Sequence, residues 1–193
     1  MLPQLILAST SPSRRQLLER LGLPFDIVSP GVNETALPGE AAPQLVHRLA
    51  EAKARAVAET YPAALIIGGD QVASFENEII GKPGNHQTAV AQLQRFSGHS
   101  LQFHSGIALL NSASGAIQIE VTHTTVEFRS LSEEQINSYL QREQPYQCAG
   151  SFKSEGLGIA LFESLRSDDP TALVGLPLIA LVRMLEREGV RVV

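Results

Sequence analysis

Two short apolar runs constrain the fold of this chain more than any other feature. Residues 5–8 lead into the polar turn of residues 9–11, and residues 65–68 lead into a polar segment around Asp70. Apolar runs of this length, bounded by turn residues, are typical of strands buried on both faces of a sheet. In α/β proteins, ligands bind where such strands end. The sequence therefore predicts a sheet with polar side chains at two of its strand ends.

Amphipathic helices alternate with these strands. Ser11 is a good N-cap for a helix that starts at Pro12, because its hydroxyl can accept from the first free N–H groups. A longer helix over residues 43–60 places Lys53 in the middle of an apolar face. An ammonium in that position needs a charged partner or an aqueous cleft, because burying it alone is costly.

The rest of the chain continues the alternation with longer strands. We predict strands over residues 25–28, 101–110 and 117–128, a hairpin near residues 75–80, and helices over residues 86–96, 132–142 and 178–185. This order of elements predicts an α/β fold with a mixed sheet. Because no linker or repeat interrupts it, we expect a single domain over residues 1–193.

Composition and charge exclude several classes of protein. With 44% hydrophobic and 18% charged residues, a disordered chain is excluded. The net charge of −5 argues against a nucleic-acid-binding protein. The apolar run of residues 2–8 lacks a basic start and is too short for a signal peptide or membrane span. The lone Cys148 suits a reducing compartment. We therefore expect a cytoplasmic protein that binds neither nucleic acid nor membrane.

The turn after the first strand is a candidate phosphate site. Ser9 and the start of the following helix offer a hydroxyl and unpaired N–H groups, which stabilise an anion. Arg14 and Arg15 add positive charge. Simple capping by Ser11, with both arginines in solvent, explains the same residues and is favoured when this segment is taken alone. Helical phase does not decide between the two arginines, and we favour Arg14.

Asp70 is a candidate for activating water or holding a metal, because the glycines before it let a ligand approach closely. A turn aspartate that bonds its own backbone is the alternative. Lys53 and Lys82 are candidate cations for phosphate oxygens, although Lys82 alone is better explained as an exposed loop lysine. Glu34 lies in a polar loop and is uninformative by itself.

The glycine-broken segment of residues 149–158 is a candidate loop for recognising a base. The carboxylate of Glu155 matches the two-donor edge of guanine, although an ordinary surface loop fits equally well. None of the histidines shows metal-ligand spacing, so we interpret all of them as structural or surface residues: His47, His86, His99, His104 and His123.

Six motifs in one order resemble the Maf family of nucleoside triphosphate pyrophosphatases. They occupy residues 7–15, 48–54, 69–72, 81–83, 148–156 and 174–177. Any one of them is weak, but six in register are specific, and the match spans nearly the whole chain. The resemblance implies a long twisted mixed β-sheet flanked by helices, with two lobes around a central cleft. It also implies hydrolysis of the α–β phosphate bond of a nucleotide substrate, a divalent metal (Mg²⁺ or Mn²⁺) and, by analogy, a homodimer.

The resemblance also implies roles for single residues. Asp70 matches the position proposed in the family as proton acceptor. The positions that belong to the family's polar cleft are Ser9, Arg14, Glu34, Lys53 and Lys82. We hypothesise that Arg14 and the two lysines neutralise the triphosphate, and that Glu34 and Asp70 hold the metal. Whether Asp70 or the metal activates the water stays open.

Two positions narrow the expected substrate. Gln71 together with Glu155 resembles the branch acting on 7-methyl-GTP, whereas members acting on dTTP and UTP carry threonine and glutamine there. Methylation at N7 makes the base cationic, so a carboxylate gains electrostatically. Ser13 departs from this branch, which often has an aromatic residue there. Loss of a cation–π partner costs about 0.5–2 kcal/mol and puts strict preference for the methylated base in question.

Two other functions remain as alternatives to a 7-methyl-GTP pyrophosphatase. Because Maf-like proteins have been linked to inhibition of septum formation, one is a nucleotide-binding regulator with little turnover. The other is a pyrophosphatase of broader or pyrimidine specificity. The intact set of Asp70, Lys53 and Lys82 favours an enzyme over a regulator, since a pure binding protein has no need of a water-activating carboxylate.

Overall fold

A computed structural model describes residues 3–193, so Leu2 of the N-terminal apolar run lies outside the described residues. Over that range the elements are β1 (Gln4–Ala8), α1 (Pro12–Glu19), β2 (Asp26–Ile27), α2 (Ala42–Ala58), β3 (Ala64–Phe75), β4 (Glu78–Ile80), α3 (His86–Phe96), β5 (Ser100–Asn111), β6 (Ile117–Phe128), α4 (Glu133–Glu143), β7 (Phe162–Ser167) and α5 (Leu178–Arg187). Short 3₁₀ helices cover Ala149–Ser151, Leu157–Leu161 and Ala172–Val174. None of the helices over residues 3–193 is long and apolar enough to cross a membrane.

The strands form one mixed sheet, as predicted. Its order is β2-β1-β3-β5-β6-β7, with β4 paired to β3. β1 runs parallel to both β2 and β3, whereas β4 and β7 pair antiparallel with β3 and β6. The sequence analysis missed β7, because this edge strand carries mostly polar and half-exposed side chains and lacks the apolar pattern of a buried strand.

The contacts of the chain divide it into two compact units. The first contains the residues up to Gln71 together with Ser105–Thr122 and Asp169–Val193. The second contains Val72–His104 and His123–Asp168. The strands β3, β5 and β6 contribute residues to both. A single domain over the whole chain stays a prediction.

β1 separates two cores in the first unit. Leu5 and Leu7 pack into a cluster that includes the apolar side chains of α1 and α5. Ile6 and Ala8 point the other way and pack with residues of α2 such as Ala50. Because alternate side chains of a strand face opposite sides of the sheet, β1 is covered on both faces. This confirms the prediction of a doubly buried strand.

Two glycines bring α2 close to the sheet. A Cβ built on Gly68 of β3 would lie 2.1 Å from the carbonyl oxygen of Ala50. A Cβ on Gly106 of β5 would lie 2.3 Å from the carbonyl oxygen of Val46. Any side chain at these positions would push the helix away. The close packing sets the distance between the middle of α2 and the polar residues in the middle of β3.

Aromatic side chains form the core of the second unit. Phe152 is 4% exposed, and its ring centroid lies 5.3 Å from that of Phe103, 5.7 Å from Phe128 and 4.8 Å from Phe162. All three pairs are edge-on, an arrangement that aromatic rings prefer. Phe152 is therefore a core residue that anchors the start of the candidate base-recognition loop.

A buried histidine in the second unit makes folding sensitive to acid. His104 Nε2 lies 2.9 Å from Ser74 Oγ, and its Nδ1 lies 2.9 Å from His123 Nδ1. Burial, and to a lesser degree the charge of His123, lowers the pKa of His104 from 6.5 to about 4. Between pH 6.5 and pH 4, His104 is therefore protonated in the unfolded chain but neutral in the folded chain. Stability present above pH 6.5 is therefore lost progressively as the pH falls towards 4.

We expect this loss to reach about 3 kcal/mol of unfolding free energy. Urea unfolding at pH 7 and pH 4.5 measures it. His104→Gln should flatten the pH dependence, whereas His47→Gln, at an exposed position, should leave it as in the wild type. An equally steep profile in the His104 variant would show that other groups cause the acid sensitivity.

Candidate active site

The two polar segments predicted at strand ends start at the same level of the sheet. The parallel pairing of β1 with β3 ends at Ala8 and Gly68. The turn of residues 9–11 begins there, and β3 continues beyond its partner through Asp70. The prediction that Asp70 follows the end of its own strand was wrong, because the two glycines before it lie inside β3. β1 ends at Ala8, which pairs with Gly68. Asp70 therefore lies in the part of β3 that extends beyond β1.

Lys53 is buried between two carboxylates. It is 4% exposed, and its Nζ lies 2.7 Å from Asp70 Oδ1 and 2.6 Å from Glu34 Oε1. Asp70 is itself only 7% exposed, whereas the side chain of Glu34 is 60% exposed. Lys53 thus has the charged partners that its place on an apolar helix face required. Since two carboxylates face one ammonium, the triad has a formal charge of −1.

Arg14 reaches from α1 to the turn after β1. Its Nη1 donates to Ser9 Oγ at 3.3 Å, and its Nε donates to the carbonyl oxygen of Gly175 at 2.9 Å. Arg15 points away, with an exposed guanidinium that pairs with Glu19. Ser11 caps α1, because its hydroxyl accepts from the backbone N–H of Arg14. The turn therefore combines capping of α1 by Ser11 with a guanidinium placed beside Ser9.

The charge of Arg14 is compensated by the carboxylates of the same unit. Burial lowers the pKa of Arg14, and the charges of Asp70 and Glu34 act in the opposite direction. An arginine remains protonated under such a shift, because its ordinary pKa is so high. The first unit thus places a guanidinium, a buried ammonium and two carboxylates around the end of β1 and the middle of β3.

Gln71 follows Asp70 and bonds to a segment far along the chain. Its Nε2 lies 2.8 Å from the carbonyl oxygen of Ala172, 2.9 Å from that of Leu173 and 3.1 Å from Ser105 Oγ. The sequence analysis missed Ser105, which no local signal marked. Gly175, the acceptor for Arg14, was noted only as part of a family motif.

The remaining predicted site residues lie on α1 and in the second unit. Ser13 is half-buried on α1. Lys82 and Glu155 are both exposed and belong to the second unit. A role for these three residues beside the substrate stays a prediction.

The loop that carries Glu155 is held by hydrogen bonds inside its own unit. The N–H of Leu157 donates to Glu143 Oε2 at 2.8 Å, and the N–H of Lys153 donates to Tyr139 Oη at 3.1 Å. A Cβ on Gly158 would lie 2.2 Å from the carbonyl oxygen of Lys153. The backbone on both sides of Glu155 is therefore fixed to α4.

The carboxylate pair of Glu34 and Asp70 fits a hard divalent cation. Over residues 3–193, no group of three or more histidine, cysteine, aspartate or glutamate side chains converges. Two carboxylates that both contact Lys53 Nζ do converge. Mg²⁺ is typically bound by one or two carboxylates together with substrate phosphates and water, and does not require a complete protein cage. The donor set therefore suits a metal that arrives with a phosphorylated substrate.

The sequence pattern of the Maf-like protein family matches residues 4–188. The chain belongs to this family. The resemblance carried by the six motifs is thereby confirmed. The match includes Ser9, Arg14, Lys53 and Asp70, the residues that the structure brings together in the first unit.

Three curated relatives with high similarity to this chain share one name. The 7-methyl-GTP pyrophosphatase of Nitrosococcus oceani is 55% identical over 187 residues, covering 97% of this chain and 94% of that protein. The protein of the same name from Methylobacillus flagellatus is 55% identical over 192 residues, covering 100% of both chains. That from Burkholderia thailandensis is 57% identical, covering 97% of this chain and 89% of its own.

A solved structure gives a more distant match. The Staphylococcus aureus Ham1 protein has a TM-score of 0.46 and 13% sequence identity, covering 66% of this chain and 72% of its own.

Proposed function

We propose that this chain hydrolyses the α–β phosphate bond of 7-methyl-GTP, giving 7-methyl-GMP and pyrophosphate. The observation that carries the proposal is the buried ammonium of Lys53 held between Asp70 and Glu34, in the unit where Arg14 lies beside Ser9. Cations for phosphate oxygens and carboxylates for a metal or a water are the groups that phosphoryl chemistry requires. Relatives over 50% identical across nearly the whole chain carry the name of this activity.

Arg14, Ser9 and Lys53 bind the triphosphate in this proposal. The guanidinium is held in place through Nε by Gly175 and through Nη1 by Ser9, and offers its remaining N–H groups to phosphate oxygens. Lys53 is fixed by its two carboxylates and places a positive charge next to Asp70. Lys82 is a further candidate cation for the phosphate oxygens. Fixed charges of this kind stabilise the charge that develops on the phosphates in the transition state.

Asp70 orients or deprotonates the attacking water. Its Oδ1 is occupied by Lys53, which leaves the second carboxylate oxygen for the water. Glu34 and Asp70 are the residues that would hold Mg²⁺ or Mn²⁺, which supplies Lewis-acid stabilisation of the phosphate oxygens when bound. Because Lys53 neutralises one of the two carboxylates, the triad adds only one negative charge to those of the triphosphate, and Arg14 and a divalent cation would offset part of that total.

Identification of the products tests which bond is cleaved. The purified protein is incubated with 7-methyl-GTP and Mg²⁺ or Mn²⁺, and nucleotides, pyrophosphate and orthophosphate are separated by anion-exchange chromatography. We expect 7-methyl-GMP and pyrophosphate in equal amounts. Formation of 7-methyl-GDP and orthophosphate would contradict cleavage between the α and β phosphates.

Glu155→Gln should change base preference and leave the chemistry intact. A carboxylate gains more than an amide from a cationic base, and a hydrogen bond to a charged group contributes about 1.5–3 kcal/mol. We therefore expect the ratio of kcat/KM for 7-methyl-GTP over GTP to fall about 10- to 100-fold. The control is Glu163→Gln, an exposed glutamate of the same unit, which should keep the ratio of the wild type. An unchanged ratio in the Glu155 variant would remove this residue from base recognition.

A further inference from the structure

The side-chain amide of Gln71 faces backbone acceptors of its own unit. Its nitrogen lies 2.8 Å and 2.9 Å from the carbonyl oxygens of Ala172 and Leu173. Because carbonyl oxygens can only accept, the nitrogen and not the oxygen of the amide must face them. Ser105 Oγ lies 3.1 Å from the same nitrogen and itself donates to the carbonyl oxygen of Ala172 at 2.8 Å. Both N–H groups of Gln71 are thus directed at the segment of residues 172–173 and at the hydroxyl beside it.

The segment that Gln71 holds continues into Gly175, which is hydrogen-bonded to Arg14. Residues 172–174 form a short 3₁₀ helix that ends at Gly175, whose φ of +119° lies in the region that favours glycine. The N–H of Gly175 donates back to the carbonyl oxygen of Ala172 at 3.0 Å. The carbonyl oxygen of Gly175 accepts from Arg14 Nε at 2.9 Å. A continuous set of hydrogen bonds therefore connects Gln71, through residues 172–175, with the guanidinium beside Ser9.

This arrangement limits what Gln71 could contribute to reading the base. An amide that contacts a base must present its donors or its acceptor to the ligand. Here both donors are used inside the protein, so that only the acceptor Oε1 is left for a ligand. The amide of Gln71 supports the groups around the phosphates, whereas Glu155, in the other unit, is the candidate for the base.

We infer that Gln71 is a positioning residue for triphosphate binding, which acts by fixing residues 172–175 and thereby the guanidinium of Arg14. The inference rests on the proposed function in one respect, namely that Arg14 binds phosphate. Loss of the Gln71 amide should weaken binding of any triphosphate, whatever base it carries. The ratio of activities on different bases should stay the same.

Inorganic triphosphate is the probe that separates these roles, because it has no base. Its dissociation constant is measured by calorimetry for the wild type, Gln71→Met, Arg14→Ala and the double variant, with Arg15→Ala as the matched control. We expect Gln71→Met to weaken binding about tenfold, the effect of about 1.4 kcal/mol. The double variant should bind no more weakly than Arg14→Ala alone, because both changes remove one interaction. Arg15→Ala should bind as the wild type does.

Two further measurements make the result independent of folding and of turnover. Amide hydrogen exchange at Val174 and Gly175 should be faster in Gln71→Met, since their segment has lost its side-chain anchor. Ser105→Ala, which removes the other side chain on Ala172, should change exchange and binding in the same direction but less. In steady-state assays, Gln71→Met should raise KM for 7-methyl-GTP and GTP by the same factor.

Different failures have different meanings. Unchanged triphosphate binding and exchange in Gln71→Met, with an altered 7-methyl-GTP to GTP ratio, would overturn the inference and return Gln71 to base recognition. Additive losses in the double variant would also overturn it, because they would show that Gln71 does not act through Arg14. Unchanged binding in Arg14→Ala would contradict the phosphate site of the proposed function, and with it the final step of the inference, while exchange would still report whether Gln71 holds residues 172–175.

Discussion

Asp70→Asn should lower kcat at least about a thousandfold, because an amide can neither deprotonate a water nor serve as a charged metal ligand. The fold should survive the change. The introduced amide still offers an oxygen to Lys53 Nζ, which lies 2.7 Å from Asp70 Oδ1, and Glu34 remains at 2.6 Å as a charged partner for the buried ammonium. The measurement combines pyrophosphate release under saturating substrate with thermal unfolding of the same preparation.

Asp168→Asn is the matched control for this experiment, because it makes the same chemical change at an exposed aspartate. It should keep the turnover of the wild type. Turnover of the Asp70 variant near that of the wild type would contradict the assignment of Asp70 to water activation or metal binding. A large loss of the unfolding midpoint in this variant would instead indicate that Asp70 is needed for folding.

Lys53→Met should reduce both stability and turnover. The side chain of Asp70 is 10% exposed, and removal of the ammonium leaves its carboxylate buried opposite Glu34 without its ion-pair partner. Breaking a buried ion pair by removing one partner costs about 3–5 kcal/mol. Since Glu34 is largely exposed, we expect the lower end of that range, about 3 kcal/mol of unfolding free energy in urea. Loss of a fixed cation beside the phosphates should lower kcat/KM by about two to three orders of magnitude.

The double variant Lys53→Met with Asp70→Asn separates the two effects. Once position 70 is neutral, no buried carboxylate is left without a partner, so most of the lost stability should return. Turnover should stay at the level of Asp70→Asn alone. A double variant as unstable as Lys53→Met would show that the lost stability comes from packing of the lysine side chain and not from its charge.

Local patterns predicted most of the elements because their signals are short-range. Ser11 caps α1, Pro12 starts it, and α3 spans His86–Phe96 as predicted. Ser132 caps α4 through a capping box with Gln135. These signals involve residues within four positions of one another. β7 was not predicted, because an edge strand that pairs with the free edge of β6 needs little apolar patterning.

The site was only partly predictable, because its contacts join residues that lie far apart in the chain. The periodicity of α2 identified Lys53 as a lysine that needs a partner, but could not show that Glu34 and Asp70 are both partners. The apolar run of residues 65–68 predicts a strand that ends before Asp70, whereas β3 continues to Phe75 and Gly68 inside it lets α2 pack closely. The bond between Arg14 and Gly175 joins residues 161 positions apart, and no pattern within one segment reports such a contact.

Substrate preference tests the central claim most directly. Pyrophosphate release is measured with Mg²⁺ and with Mn²⁺ on 7-methyl-GTP, GTP, dTTP, UTP and CTP, with Asp70→Asn as the control. The proposed function predicts the highest kcat/KM on 7-methyl-GTP and loss of release on every nucleotide in the variant. Equal and feeble release on all five, unchanged by the substitution, would contradict an enzyme and favour a nucleotide-binding regulator. Preference for a pyrimidine nucleotide would retain the enzyme and contradict the assigned substrate.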